Sequence, residues 1–296
     1  MPTQPLVSPS EPRTCLDIDR LTSTEIRDVV AARPCIVVPV ASMEPWGSRA
    51  AIGASAVCTS ALARALSRCE QVLCAPVCMF GHSTPVKAFA GVGALRRSTL
   101  EAMMVDLIDS WQFQGIRQFI IVDGGSWNAQ AAGDALRRSR IRHPSVRALH
   151  VPWQTLPEVR AGSGSVPPGR EWARAEFAVV SMASWLDPSM VRTADPSTPA
   201  AVLPPPEQLR HWQKRGEDPE QFRRAFPSGS ASEIVHLGNA EAGRAIYDAV
   251  VALLKSRVRQ FLSAPPSEPV KQDPAAKPAR RPRTSRVSTK TRHRHD

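Results

Sequence analysis

Cys35–Ser55 reads CIVVPVASMEPWGSRAAIGAS. Its opening run, Cys35–Ala41, is apolar throughout and rich in Val and Ile. A strand with one wet face alternates apolar and polar side chains, so an unbroken run predicts a strand covered on both faces. The rest, Ser42–Ser55, carries a single acid, Glu44, among small residues and one tryptophan. It reads as a loop at the strand's carboxyl end.

Working outward, the same grammar repeats. Upstream, Thr22 with Glu25 three residues later forms a capping box for a helix that runs to about Arg33 and stops at Pro34. Downstream, Ala56–Ser67 reads as an alanine-rich helix and Gln71–Cys78 as a second buried strand. Ser98 and Glu101 repeat the box pattern at the start of a helix reaching about Gln114, which Gly115 ends. Gln118–Val122 is a third strand, Asp123–Asn128 a tight loop, and Asn128 a cap for a helix to about Arg140. Val146–Val151 is a fourth strand. Arg160–Gly169 reads as a loop, Glu171–Leu186 as a helix, and 195–206 as irregular. Asn239–Phe261 is a long amphipathic helix. Strands alternating with helices predict an α/β/α sandwich with a mainly parallel sheet. Sites in such sheets form beyond the carboxyl ends of the strands, where both notable loops lie.

The chain has 296 residues, 42% of them hydrophobic, enough for a sizeable core. No run approaches the length of a membrane span, and the N-terminus has no signal-like apolar segment, so a cytoplasmic protein without membrane contact is expected. The six cysteines form no C-x-x-C pair and read as reduced core thiols. The net charge of +11 is uneven: residues 263–296 hold nine Lys/Arg against three acids and almost no large apolar side chains. That segment is expected to be a disordered basic tail, able at most to make weak polyanion contacts. Residues 1–14 read as a flexible leader and 15–262 as one domain.

The loop from Pro39 resembles that of the creatininase (creatinine amidohydrolase) family, which runs roughly P-V-G-S-x-E-Q-H-G-x-H-x-P-x-x-T-D. Pro39, Val40, Ser42, Glu44 and Gly47 match. Other matches follow in order: Leu21-Thr22 with Glu25, Phe80-Gly81 with Ser83, Phe89–Val92, Val122–Asn128 against V-N-G-H-x-x-N, and Gly238–Ala240 with Gly243. The resemblance implies a creatininase-like fold and amidohydrolase chemistry, in which two divalent metals held by carboxylate and imidazole activate a bridging water against a C–N bond. It also implies a homo-oligomer.

The ligand positions are mostly changed. Glu44 is present, but Trp46 stands at a ligand His, Ser55 at the bridging Asp, Gly125 at the second-loop His, and Trp127 where some members have a Glu. A later His and Glu fall on Arg174 and Val179 in one register, or on Trp172 and Glu176 in another. The resemblance therefore points to a homologue with a degenerate metal site, non-catalytic, binding a ligand or partnering an active paralogue, with no cofactor. Trp46 and Trp127 either plug the old metal cavity or wall a pocket for a flat or cationic ligand. The pocket residues expected are Glu44, Trp46, Ser55, His82, Asp123, Gly125, Trp127, Asn128 and Glu176. The alternative is a metal-dependent amidohydrolase acting on a small cyclic amide. Glu44, Asp123, Glu176 and His82 would then hold one divalent ion, Zn or Mn.

Overall fold

A computed structural model of the chain describes residues 15–162, 173–193, 218–230 and 237–264. The leader, the 195–206 stretch, Trp172 and nearly all of the basic tail lie outside them. The five strands are β1 (Leu16–Asp17), β2 (Cys35–Val40), β3 (Leu73–Cys74), β4 (Gln118–Asp123) and β5 (Arg147–Pro152). They form one sheet in the order β1-β3-β2-β4-β5, and every pairing is parallel. The helices are α1 (Ser23–Ala32), α2 (Ala54–Glu70), α3 (Arg97–Phe113), α4 (Ala129–Arg142), α5 (Pro157–Gly162), α6 (Arg174–Leu186), α7 (Pro219–Ala225) and α8 (Ala240–Ser263). None in the described residues is long and apolar enough to cross a membrane.

Alternation along the strands builds two cores. Cys35, Val37, Ile120 and Val122 pack against α2, α6 and α8 on one face. Ile36, Val38, Val40, Phe119 and Ile121 pack against α3 and α4 on the other, with α1 at its margin. All six residues of β2 are buried, as an unbroken apolar run requires. The expected inner strands are therefore inner, and the layers are those of an α/β/α sandwich.

Some local expectations change. The second strand is cut to Leu73–Cys74, because Pro76 has no amide to continue a ladder. The chain beyond it still follows β2, through Ala75 N to Val37 O at 2.8 Å and Cys78 N to Pro39 O at 3.0 Å. The capping box at Thr22 and Glu25 forms, whereas Ser98 caps nothing: α3 begins one residue earlier, at Arg97. Asn128 precedes α4 without capping it. Gly115 has φ +103°, the left-handed turn expected after α3.

The strand order places the site. From β2 the chain moves through α2 to β3 on one side; from β4 it moves through α4 to β5 on the other. β2 and β4 are neighbours whose following helices lie on opposite faces, so their carboxyl-end loops border a crevice that no crossover fills.

Candidate ligand cavity

β2 and β4 pair in register from Cys35↔Gln118 to Val40↔Asp123, so their exits are level and the Glu44 loop meets the Gly124–Asn128 loop. A cavity of about 400 Å³ opens there. Its walls include Glu44, Trp46, Asp123, Gly125, Trp127 and Glu176 of the expected set. Ser55, His82 and Asn128 are not in the lining, and each has structural work elsewhere.

Glu44 is 3% exposed. Its Oε1 accepts from Ser126 N at 2.9 Å and from the Ser42 hydroxyl, and Oε2 accepts from Ser126 Oγ at 2.6 Å. Burial pushes its carboxyl above the usual range; the serine bonds pull it back, and the nearby Asp123 charge adds to the rise. Asp123 accepts from Gly125 N (3.0 Å) and Asn128 Nδ2 (3.2 Å) on Oδ1 and lies 3.0 Å from His150 Nε2 on Oδ2.

Asn128 is fully buried and spends its carboxamide on the loops: Oδ1 accepts from His82 N at 2.8 Å and Nδ2 donates to Ala41 O at 3.1 Å. That is why it does not cap α4. The His82 ring contacts Leu95 O at 3.1 Å and Thr84 Oγ1 at 3.3 Å, outside the cavity lining. Ser55, in the first turn of α2, donates to Gly124 O, which also accepts from Gln154 Nε2 at 2.7 Å.

Trp46 is 3% exposed and belongs to the core on the α2 face, yet the cavity beside it is not filled. Its buried indole Nε1–H meets no acceptor among the described residues. Trp127 stands edge-on to Phe222 with ring centroids 6.4 Å apart, and Phe222 packs on Phe226 at 4.8 Å. Glu176, in the first turn of α6, reaches the cavity and accepts from Ser230 Oγ at 2.8 Å; Val179 is buried in the core. Glu176 and not Val179 is thus the side chain at the site.

Glu44, Asp123 and Glu176 share the cavity and His82 lies outside its lining, but no three of these four bring donor atoms close enough to share an ion. Among the described residues, the one group of three or more His, Cys, Asp or Glu donors close enough to share an ion is Cys15, Asp17 and Cys74, far along the sheet edge. Sequence reasoning missed Ser126, His150, Phe222 and Phe226. Ser126 and His150 are recognisable only once β2, β4 and β5 are in register. Phe222 lies in α7 and Phe226 directly follows it; the cap of this short helix at Asp218 is the signal that could have found it.

The profile of the creatininase family, creatinine amidohydrolase, matches residues 19–258. Among solved structures, one described as "Creatininase Mn" aligns at 19% identity and TM-score 0.70 over 84% of this chain and 100% of that one. A creatinine amidohydrolase (creatininase) crystal structure gives 19% and 0.70 over 85% and 99%. A putative creatinine amidohydrolase from Bacteroides fragilis NCTC 9343 gives 17% and 0.62 over 85% and 98%. At such identities the likeness shows the fold. No curated protein matches.

Proposed function

The chain belongs to the creatininase family, and we propose that it is a ligand-binding, non-catalytic member whose metal site has degenerated, acting as a homo-oligomer or beside an active paralogue. The observation that carries this reading is the occupation of Glu44, the one retained family ligand. Both its oxygens accept hydrogen bonds from Ser42 and Ser126. The residues present do not fit a pair of divalent ions. Two such ions repel and need a bridging anion, which the Ser55 hydroxyl cannot supply. The Trp46 indole only donates, and Gly125 has no side chain. Mn stands in the description of one solved relative, but the donor set here differs from what two ions need.

What the cavity suits is a small, flat cation. Three acidic side chains, Glu44, Asp123 and Glu176, line it, and among the described residues no Lys, Arg or His joins them in the lining, with His150 reaching Asp123 from behind. Trp127 and Phe222 supply aromatic surface that attracts a cation through the ring quadrupole, with buried Phe226 packed behind Phe222 and buried Trp46 at the margin. The Trp46 N–H offers a donor to a ligand acceptor.

The test combines metal analysis with calorimetry. Tag-free protein should carry no stoichiometric metal pair and should not hydrolyse creatinine or related cyclic amides. Phenylguanidine should bind, its neutral analogue phenylurea at least about tenfold more weakly, and Glu176→Gln or Trp127→Ala should weaken phenylguanidine by about tenfold. About two metals per chain with hydrolysis abolished in Glu44→Ala would instead establish the metal-dependent amidohydrolase.

A further inference from the structure

At the sheet edge away from the cavity, the short strand β1 lies beside β3 with Asp17 opposite Cys74. Cys15, two residues before Asp17, projects to the same face of the strand. The sulfurs of Cys15 and Cys74 and a carboxylate oxygen of Asp17 all lie within 4.8 Å of one another. We propose that these three side chains form a binding site for one thiophilic divalent cation, Zn2+ by its chemistry, which ties the edge strand to the sheet.

The donor set is the first argument. Two thiolates and a carboxylate select a borderline-to-soft ion over magnesium or calcium. Zn–S bonds of about 2.3 Å in tetrahedral geometry put two sulfurs roughly 3.8 Å apart, so side-chain rotation closes the remaining gap. Cys74 and Asp17 are buried and Cys15 is half-buried, leaving one side open for entry and for a water as fourth ligand. A disulfide is a poorer use of this pair. Cys15 lies two residues along the chain from Asp17, the parallel partner of Cys74; at about 3.3 Å per residue and about 4.8 Å between strands the two Cα atoms sit roughly 8 Å apart, beyond what a disulfide spans without backbone movement.

The surroundings are the second argument. Arg64 Nε lies 3.2 Å from Asp17 Oδ1, an outer-sphere contact of the kind that orients a ligating carboxylate. Two thiolates, one carboxylate, a dication and this guanidinium sum to zero charge, so occupancy buries no net charge. The backbone between the ligands is pinned independently: Leu16 N donates to Ser67 Oγ at 3.1 Å, and Ser67 Oγ donates to Val72 O at 2.7 Å. With only Leu16 and Asp17 in β1, the edge has little else to hold it. Binding exchanges the two thiol protons for the ion and releases them to solvent.

The full chain, reduced and stripped of metal, is titrated with Co2+ and then Zn2+. We expect thiolate-to-cobalt charge-transfer absorption saturating at about one equivalent, displaced by Zn2+ with release of about two protons. Cys15→Ala, at the strand edge, should abolish the band and Cys69→Ala should keep it. Asp17→Asn should weaken Zn2+ at least about tenfold. Zn2+ should raise the melting temperature of the starting protein but not of Cys15→Ala. An absent band, or one that persists in Cys15→Ala, overturns the site. The readout is independent of the cavity, whose lining among the described residues has no cysteine, and of His293 and His295 near the end of the sequence, whose imidazoles give no thiolate band.

Discussion

A carboxyl group cut off from water but met by three donors, as Glu44 is, feels opposing influences, and burial dominates. Its folded pKa lies above its unfolded one. The stability this contributes is complete below the unfolded pKa and is lost as pH rises through the folded pKa. Glu44→Gln keeps the shape and can still accept from Ser126 N. Its stability relative to the starting protein should therefore improve as pH rises above the unfolded carboxyl range of about 4, and level off once pH has passed the folded pKa, read from urea unfolding at each pH. A difference that stays flat would mean Glu44 titrates alike in both states. Gly125 gives a second test. A Cβ there would meet the Asn128 amide and come within 2.7 Å of Ser42 Oγ. Displacing that amide breaks its bonds to Ala41 and Asp123, so Gly125→Ala should cost about 1–3 kcal/mol in unfolding free energy. The histidine that the family resemblance would place at Gly125 has no room until Asn128 moves.

Helices α6 and α8 meet at a point set by one glycine. A Cβ on Gly243 would strike the Ser181 carbonyl and stand 2.8 Å from Met182 N. These are backbone atoms that cannot swing aside, so Gly243→Ala should reach the upper end of the about 1–3 kcal/mol of overpacking. Asn239→Ala removes the α8 cap, whose Oδ1 accepts from Ala242 N at 2.9 Å, and should cost about 1 kcal/mol. Thermal melts of both variants separate the close approach from the cap. Elements like α8 are legible in sequence because a cap and a long periodic stripe agree over many residues. β1, β3 and α7 are two, two and seven residues long, too short for periodicity to speak. β3 ends where it does because Pro76 follows, whereas β1 exists only because Leu73 and Cys74 are there to pair with it.

For the whole molecule, β4 has partners on both sides and helices over both faces, so its amides should exchange only on global opening. Fast exchange across Gln118–Val122 in a hydrogen-exchange experiment would contradict that. Deleting residues 265–296 should leave the melting temperature nearly unchanged, since that sequence has almost no large apolar side chains to bury. The same deletion should remove any salt-sensitive binding to heparin or nucleic acid; a large fall in melting temperature would show instead that the tail packs on the domain.

The alternation of buried runs and capped periodic stretches was enough to determine an α/β sandwich with a cavity at the β2 and β4 exits, because burial on both faces leaves a continuous mark on the chain. Composition could likewise say that Trp46, Ser55 and Gly125 are poor ligands, since coordination depends on atoms each residue does or does not carry. What those residues do instead was decided by tertiary structure alone. The Ser126 bonds to Glu44, the approach of His150 to Asp123, the separation of His82 from the cavity and the meeting of Cys15 with Cys74 all depend on strand register and loop path. These contacts join residues from 27 to 82 positions apart. No local pattern encodes such distances; they follow from how the layers settle.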